Sequence, residues 1–366
     1  MIPLYKIFMP ADLLDNFSTI LYSGMLSYGK YARQFEQKIG DYIENPYLLV
    51  TSNHHYSLQI AFNLIHLDPG DEVIASPMCC LGSTQPILTC GGKVIWADID
   101  PSTGTLDPYD VKKRITKRTK AILHYHWCGY PGYIDEINKL ADEFGIIVVE
   151  DAFQGFGSEY RSKKVGNNGS DITCFSFDTV RLPTSISGGA ISFNSQELFD
   201  KAFLMRDHGI NRKIFRDEQG EVSDKCNILM PGYDATINEV NGYVGSEAMN
   251  SFDKLLKQQK LNAEILSTGV DHSQRIKQRK NASPSYWVYT LLVNQRDNLL
   301  KYLRENDIYA SKVHLRNDIY TCFNSKRCSL PGVDEFSNKH LSIPCGWWVS
   351  SEDCEYILSI IKQRLK

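Results

Sequence analysis

The chain has 366 residues, 42% hydrophobic and 23% charged, the composition of a globular protein long enough for two domains of the usual ~100–200 residues. Its net charge of −3, with scattered basic residues and one Lys/Arg cluster at 112–120 that reads as a solvated helix end and loop, argues against a nucleic-acid partner. No run approaches the ~18 apolar residues of a membrane span, and the first residues, MIPLYKIFMPADLLDNF, have neither the basic start nor the long apolar segment of a signal peptide.

Residues 12–22 place Leu13, Leu14, Phe17, Ile20 and Leu21 at helical spacing. Tyr47 to Thr51 reads as a strand and Tyr56 to Ile65 as a helix. Ser52-Asn53-His54-His55 joins them in a turn with capping residues. Free N–H groups at such a helix start make a ready anion site. Further strands are expected at Glu72 to Ala75, Lys93 to Ala97, Lys120 to His124, Ile146 to Val149, Ile172 to Phe177 and Ala190 to Phe193. Strands alternating with helical stretches and short turns predict an α/β fold around a doubly wound, mostly parallel sheet. Asp98 and Asp100 read as turn carboxylates rather than metal ligands.

The ten cysteines include no Cys-x-x-Cys pair, and Cys79-Cys80 are adjacent. This suits neither a zinc site nor a disulfide framework, so a reduced, cytoplasmic protein without a metal is expected. Farther on, 246–265 predicts a long helix and 267–284 a polar, basic linker or mobile loop. Trp287 to Val293 predicts a strand, Asn298 to Glu305 a helix and 351–362 a closing amphipathic helix. The division expected is a large domain over 1–245 and a small C-terminal α/β domain over 246–366.

Residues 145–190 hold the candidate site. The apolar run Ile146 to Val149 ends in Glu150-Asp151, and ligands of open α/β sheets lie just beyond the carboxyl ends of such strands. VEDAFQGFG, then CFSF, a short loop and GGA resembles the DegT/DnrJ/EryC1/StrS family. These are pyridoxal-phosphate (PLP) aminotransferases of fold type I that act on nucleotide-linked keto-sugars. LDPGDEVIASP, ADIDPSTGTLDP and PGYDATINEVNGYVGSEAM fit the same family in the same order, so the resemblance covers nearly the whole chain. It implies a fold type I large domain and a homodimer with its active sites at the subunit interface. It also implies a place in nucleotide-sugar metabolism feeding a surface polysaccharide or glycan.

The same resemblance marks the departures. The loop after Phe-Ser-Phe normally carries the lysine that holds PLP as a Schiff base. Four residues past Phe177 stands Arg181, and no lysine occurs between Lys164 and Lys201. A Schiff base needs an amine that can lose its proton, which a guanidinium with a pKa above about 12 does not. The family's phosphate-cupping Ser-Gly-Thr turn becomes a turn with His54-His55, whose side chains crowd a phosphate out, offer imidazoles to another ligand, or point to solvent. The ring-stacking aromatic is missing from Met78-Cys79-Cys80-Leu81, and Val180 replaces a phosphate-binding serine. The Asn that reaches a partner's phosphate is Asp234, which a phosphate would repel. Asp151, at the place of the carboxylate that pairs with the pyridine nitrogen, Gln154 near the ring, and Ser176 remain the cofactor-binding candidates should PLP or pyridoxamine phosphate (PMP) bind.

The expectation is a family member that binds a nucleotide-linked sugar, with lysine-dependent transamination lost and either no cofactor or non-covalent PLP or PMP. Arg181, His54, His55 and His314 are the candidate catalytic residues. Arg181, Asp234, Arg316 and Asn317 are the candidate substrate contacts, with Arg181 as a fixed cation for a phosphate or carboxylate. His314, Arg316, Asn317 and Asp318 either face the substrate cleft or form the hydrogen-bond network of a turn. Two alternatives stand beside this: a working PLP- or PMP-dependent keto-sugar aminotransferase or dehydratase, and a non-catalytic partner of an active paralogue.

Overall fold

The computed structural model describes residues 1–324 and 328–364. Seven strands form its central sheet: β1 (Leu48–Thr51), β2 (Glu72–Ala75), β3 (Lys93–Trp96), β4 (Thr119–Tyr125), β5 (Ile147–Asp151), β6 (Ile172–Ser176) and β7 (Gly189–Phe193). Their order is β1-β7-β6-β5-β4-β2-β3. β7 runs antiparallel to both neighbours, and every other pair is parallel. β1 and β6 are buried along their whole length because helices cover both faces, which removes any need for apolar–polar alternation.

One face is closed by the helix Lys30–Ile43. Its Ala32, Phe35, Ile39 and Ile43 recur at three- and four-residue spacing and pack on Phe156, Phe175, Phe177 and Phe252. The carboxylate of Glu239 accepts the N–H groups of Tyr31 (3.1 Å) and Ala32 (3.0 Å), so a residue 207 positions away in sequence satisfies the free donors of that helix. The other face carries Leu58, Ile60 and Phe62 of the helix His54–Leu64, and its core continues into the C-terminal body.

β1 lies at the sheet edge, where free backbone groups invite unwanted pairing. Here the Val50 N–H donates to Glu36 Oε2 (2.8 Å), and Arg206 Nη1 donates to the Val50 carbonyl (2.8 Å). Arg206 also pairs with Glu36, and Tyr28 donates its hydroxyl to the other Glu36 oxygen at 2.8 Å.

The C-terminal part departs from the sequence reading in two places. The helix predicted over 246–265 runs from Glu239 to Gly269, capped by Asn238. Segment 267–284 is not a linker. It holds the end of that helix, the turn His272–Gln274 and the strand Ala282–Ser283, which pairs with Glu159–Tyr160. Its polar residues are tied to the rest of the fold: Arg279 pairs with Glu136, and the Lys277 N–H donates to the Ser102 carbonyl at 2.8 Å. The antiparallel pair Tyr289–Leu292 and His340–Ile343 packs on the helix Arg296–Glu305, which in turn meets the helix Ser351–Arg364. Asn262 Nδ2 donates to the carbonyls of Gly346 (2.9 Å) and Val349 (2.8 Å), fastening the long helix to this body.

Asp98 and Asp100 do the structural work expected of them. Asp98 accepts the N–H groups of Gly332 and Val333 at the start of the helix Pro331–Lys339, and Asp100 accepts from Ser102. Among the described residues no group of three His, Cys, Asp or Glu is arranged to hold a metal ion. No described helix is long and apolar enough to cross a membrane.

Candidate active site

β4, β5 and β6 end side by side. Tyr125 and Cys174 flank Asp151 in register, so the carboxyl ends of three parallel strands open onto one crevice. Asp151 is fully buried. Its Oδ1 accepts the Phe153 N–H at 3.1 Å, and the Ser83 side chain lies beside the carboxylate. Burial pushes the Asp151 carboxyl above its usual pKa.

The loop between β6 and β7 brings Arg181 over this crevice. Its guanidinium carbon lies 4.7 Å from the Trp287 ring centroid, and Nε and Nη1 are buried without a hydrogen-bond partner among the described residues. Trp287 Nε1 donates to the Val180 carbonyl at 2.8 Å, pinning the loop. Gln154 spans the floor: its Oε1 accepts from the Tyr125 hydroxyl, and its Nε2 meets His314 Nε2 at 2.9 Å. The His314 ring is parallel to Trp287 within 5°. Burial, with a smaller push from Arg181, lowers the His314 pKa to about 3, so the ring is a neutral acceptor near neutral pH. Arg181, Phe153, Gln154, Ser176 and Trp287 line a cavity of about 20 Å³, roughly enough for one water.

At the start of the helix His54–Leu64, Asn53 caps the first turn by accepting the Tyr56 N–H at 3.0 Å. Gly189 faces this turn, where a Cβ would lie 2.7 Å from Asn53 backbone atoms. His54 turns inward. Its Nδ1 is hydrogen-bonded to Asp178 Oδ2, and its ring meets Phe153 edge-on with centroids 4.5 Å apart. The Asp178 carboxylate also accepts from the Ser176 hydroxyl (3.2 Å) and the Gly188 N–H (3.2 Å). Burial alone would raise the Asp178 pKa, but bonding from His54, Gly188 and Ser176 holds it below the usual value. His55 is half-buried beside it, and burial lowers its pKa.

The remaining candidates sit elsewhere. Asp234 is 81% exposed, lies 3.9 Å from His208 and lines a separate cavity of about 1120 Å³ beside β1, with Arg33, Arg206 and Arg212. Arg316 spends its donors on Asp318 (2.6 Å) and Asp334. Asn317 donates to Thr84 at 3.1 Å and to the carbonyls of Cys79 and Cys80, stitching the C-terminal body to the loop after β2. Of the two readings of 314–318, the hydrogen-bond network of a turn describes Arg316 to Asp318, while His314 faces the crevice. Sequence reasoning missed Phe153, Asp178 and Trp287; Phe153 stands between the candidates Asp151 and Gln154, while Asp178 and Trp287 gain their meaning only from partners far away in sequence.

A seven-stranded sheet with one reversed strand, a crevice beyond β5 and β6, and a long helix leading into a small α/β body define an aminotransferase-like protein of fold type I. A family model described as the DegT/DnrJ/EryC1/StrS aminotransferase family matches residues 9–362, and the chain belongs to that family. It is similar to the sugar aminotransferase CalS13 of Micromonospora echinospora, with a TM-score of 0.93 and 30% identity over 100% of both chains. It is 24% identical to the GDP-perosamine synthase of Vibrio cholerae over 99% of this chain and 98% of that one. It is 23% identical to the Bacillus subtilis spore coat polysaccharide biosynthesis protein SpsC, over 96% of this chain and 94% of that protein.

The family's coenzyme is PLP, and the crevice meets it with mixed chemistry. The buried Asp151 carboxylate at the strand end fits a pyridinium N–H. The rest does not fit. Arg181 supplies no amine, the space near Asp151 holds Phe153 and His54, and the Ser176 hydroxyl and Gly188 N–H are already bonded to a carboxylate.

Proposed function

We propose that this protein acts in nucleotide-sugar metabolism feeding a surface polysaccharide or glycan, and that it binds a nucleotide-linked sugar without lysine-dependent transamination. The observation that carries this is Arg181. A residue that cannot condense with an aldehyde stands in the crevice, backed by Trp287, with two of its nitrogens unbonded among the described residues. A buried guanidinium in that state is a ready partner for a phosphate or carboxylate oxygen. The names of the relatives, a GDP-sugar enzyme and a coat polysaccharide protein, support the pathway.

The working unit is a homodimer. Its support is apolar surface: Tyr22 is 89% exposed, Leu229 80%, Leu14 76% and Met25 75%. His54 and His314 are the acid–base candidates within the crevice.

Thermal unfolding with a panel of nucleoside-diphosphate sugars, PLP and PMP tests the reading, since a ligand that binds the folded state raises its melting temperature. At least one sugar nucleotide is expected to raise it, with Arg181→Ala abolishing the shift, and neither coenzyme is expected to. A shift with PLP or PMP alone, or amino transfer from glutamate to a keto-sugar nucleotide, would replace this reading with that of a working aminotransferase. Copurification of a lysine-bearing homologue would favour the non-catalytic partner.

A further inference from the structure

We infer that the coenzyme cup of this fold is filled from within: the Asp178 carboxylate stands in as its anion, and the rings of His54 and Phe153 fill the space around Asp151. The inference concerns the cup alone and holds whichever sugar nucleotide the crevice takes.

Three separate segments contribute. Asp178 comes from the loop after β6, His54 from the start of the helix after β1, and Phe153 from the turn just beyond β5. Asp178 uses both carboxylate oxygens: Oδ1 accepts from the Gly188 N–H, and Oδ2 accepts from Ser176 and meets His54. These are the kinds of donor an anion site presents, a backbone N–H, a hydroxyl and an imidazole. A phosphate arriving here would have to displace a carboxylate that is already bonded, or lie beside it and be repelled.

The rings are fixed as firmly. Phe153 is 1% exposed, and its own N–H is bonded to Asp151. His54 packs edge-on against Phe153, and the far side of its ring faces Gly82, where a Cβ would lie 3.1 Å from Nε2. Gly189 permits the inward turn, because any side chain there would strike the backbone of Asn53 and His54. Arg181 is thus one of several changes, and returning a lysine does not by itself reopen the cup.

The test compares three full-length proteins, Arg181→Lys, Arg181→Lys/Asp178→Asn and Arg181→Lys/His54→Gly/Phe153→Ala, each titrated with PLP and read by Schiff-base absorbance. Each is also titrated with inorganic phosphate and read by melting temperature, with and without ligand in the same variant. R181K is expected to give no site-specific Schiff base and no phosphate shift. Removing the Asp178 charge is expected to bring a phosphate-dependent rise in melting temperature. The triple variant is expected to bind PLP at least about tenfold more tightly than R181K. Site-specific Schiff-base formation in R181K alone would overturn the inference, since the fill would then be yielding. Silence toward both ligands in the folded D178N-containing variant would also overturn it, and that variant decides the matter if the triple variant does not fold.

Discussion

The guanidinium carbon of Arg181 lies 4.7 Å from the centre of the Trp287 indole, and the same indole donates its N–H to the carbonyl of Val180. One side chain of the C-terminal body therefore holds both the cation and the loop that carries it. A cation–π contact contributes about 0.5–2 kcal/mol and a hydrogen bond about 1 kcal/mol. Trp287→Ala is expected to cost about 2 kcal/mol and to speed amide exchange across residues 179–187. Trp287→Phe keeps the ring face and is expected to cost about half as much. Equal, negligible effects of the two variants would show that the loop is held by something else.

Arg206 is almost wholly buried, with Glu36 as its carboxylate partner. Removing one member of a buried pair leaves a charge without compensation, at a cost of about 3–5 kcal/mol. Glu36 also accepts the Val50 N–H at the sheet edge. Glu36→Ala is expected to destabilise the protein by at least about 3 kcal/mol in urea unfolding, and to promote association through the uncovered β1 edge. A loss below about 1 kcal/mol, the range of an exposed pair, would contradict this.

Burial lowers the pKa of His124 and His314 to about 3 and of His340 to about 4. Unfolded histidine titrates near 6.5, so between that value and about 3–4 the unfolded chain binds more protons than the folded one. The stability these neutral rings contribute is present above pH 6.5 and is lost as the pH falls. At pH 5.5 the loss is about 1.4 kcal/mol for each ring, or about 4 kcal/mol in all. Urea unfolding at pH 7.5 and 5.5 checks the figure, and equal free energies at the two values would refute it.

Gly189 takes no Cβ without a 2.7 Å contact to the carbonyl carbon and oxygen of Asn53 and to His54 Cα. These are backbone atoms that cannot rotate aside. Gly189→Ala is expected to cost about 1–3 kcal/mol, the range for overpacking, and to shift the His54 ring resonances as the helix start moves. Unchanged resonances and stability would show that the turn has slack there.

Much of the architecture was legible because it rests on local pattern. The runs that became β2, β5 and β6 are short, apolar and bounded by turns, and the structure places strands at all three. What was not legible depends on partners far away in sequence. Glu239, in the first turn of the long helix, ties it to the N–H groups of residues 31 and 32, more than 200 positions earlier. Segment 267–284 looks like a linker because its partners lie far off in sequence: the Lys277 N–H bonds the Ser102 carbonyl, Arg279 pairs with Glu136, and Ala282–Ser283 pair with Glu159–Tyr160. At the site, Arg181 could be read by counting from Phe177. The Asp178 carboxylate could not, because its meaning comes from His54, 124 residues earlier.

The central claim is that this crevice has exchanged an aldehyde-condensing amine for a fixed cation and no longer takes the family's coenzyme. Its most direct test is equilibrium titration of the full-length wild-type protein with PLP, following bound coenzyme per chain. The account predicts no saturable one-per-chain site and no rise in melting temperature. Saturation at one PLP per chain, with stabilisation that disappears in Asp151→Ala, would contradict it.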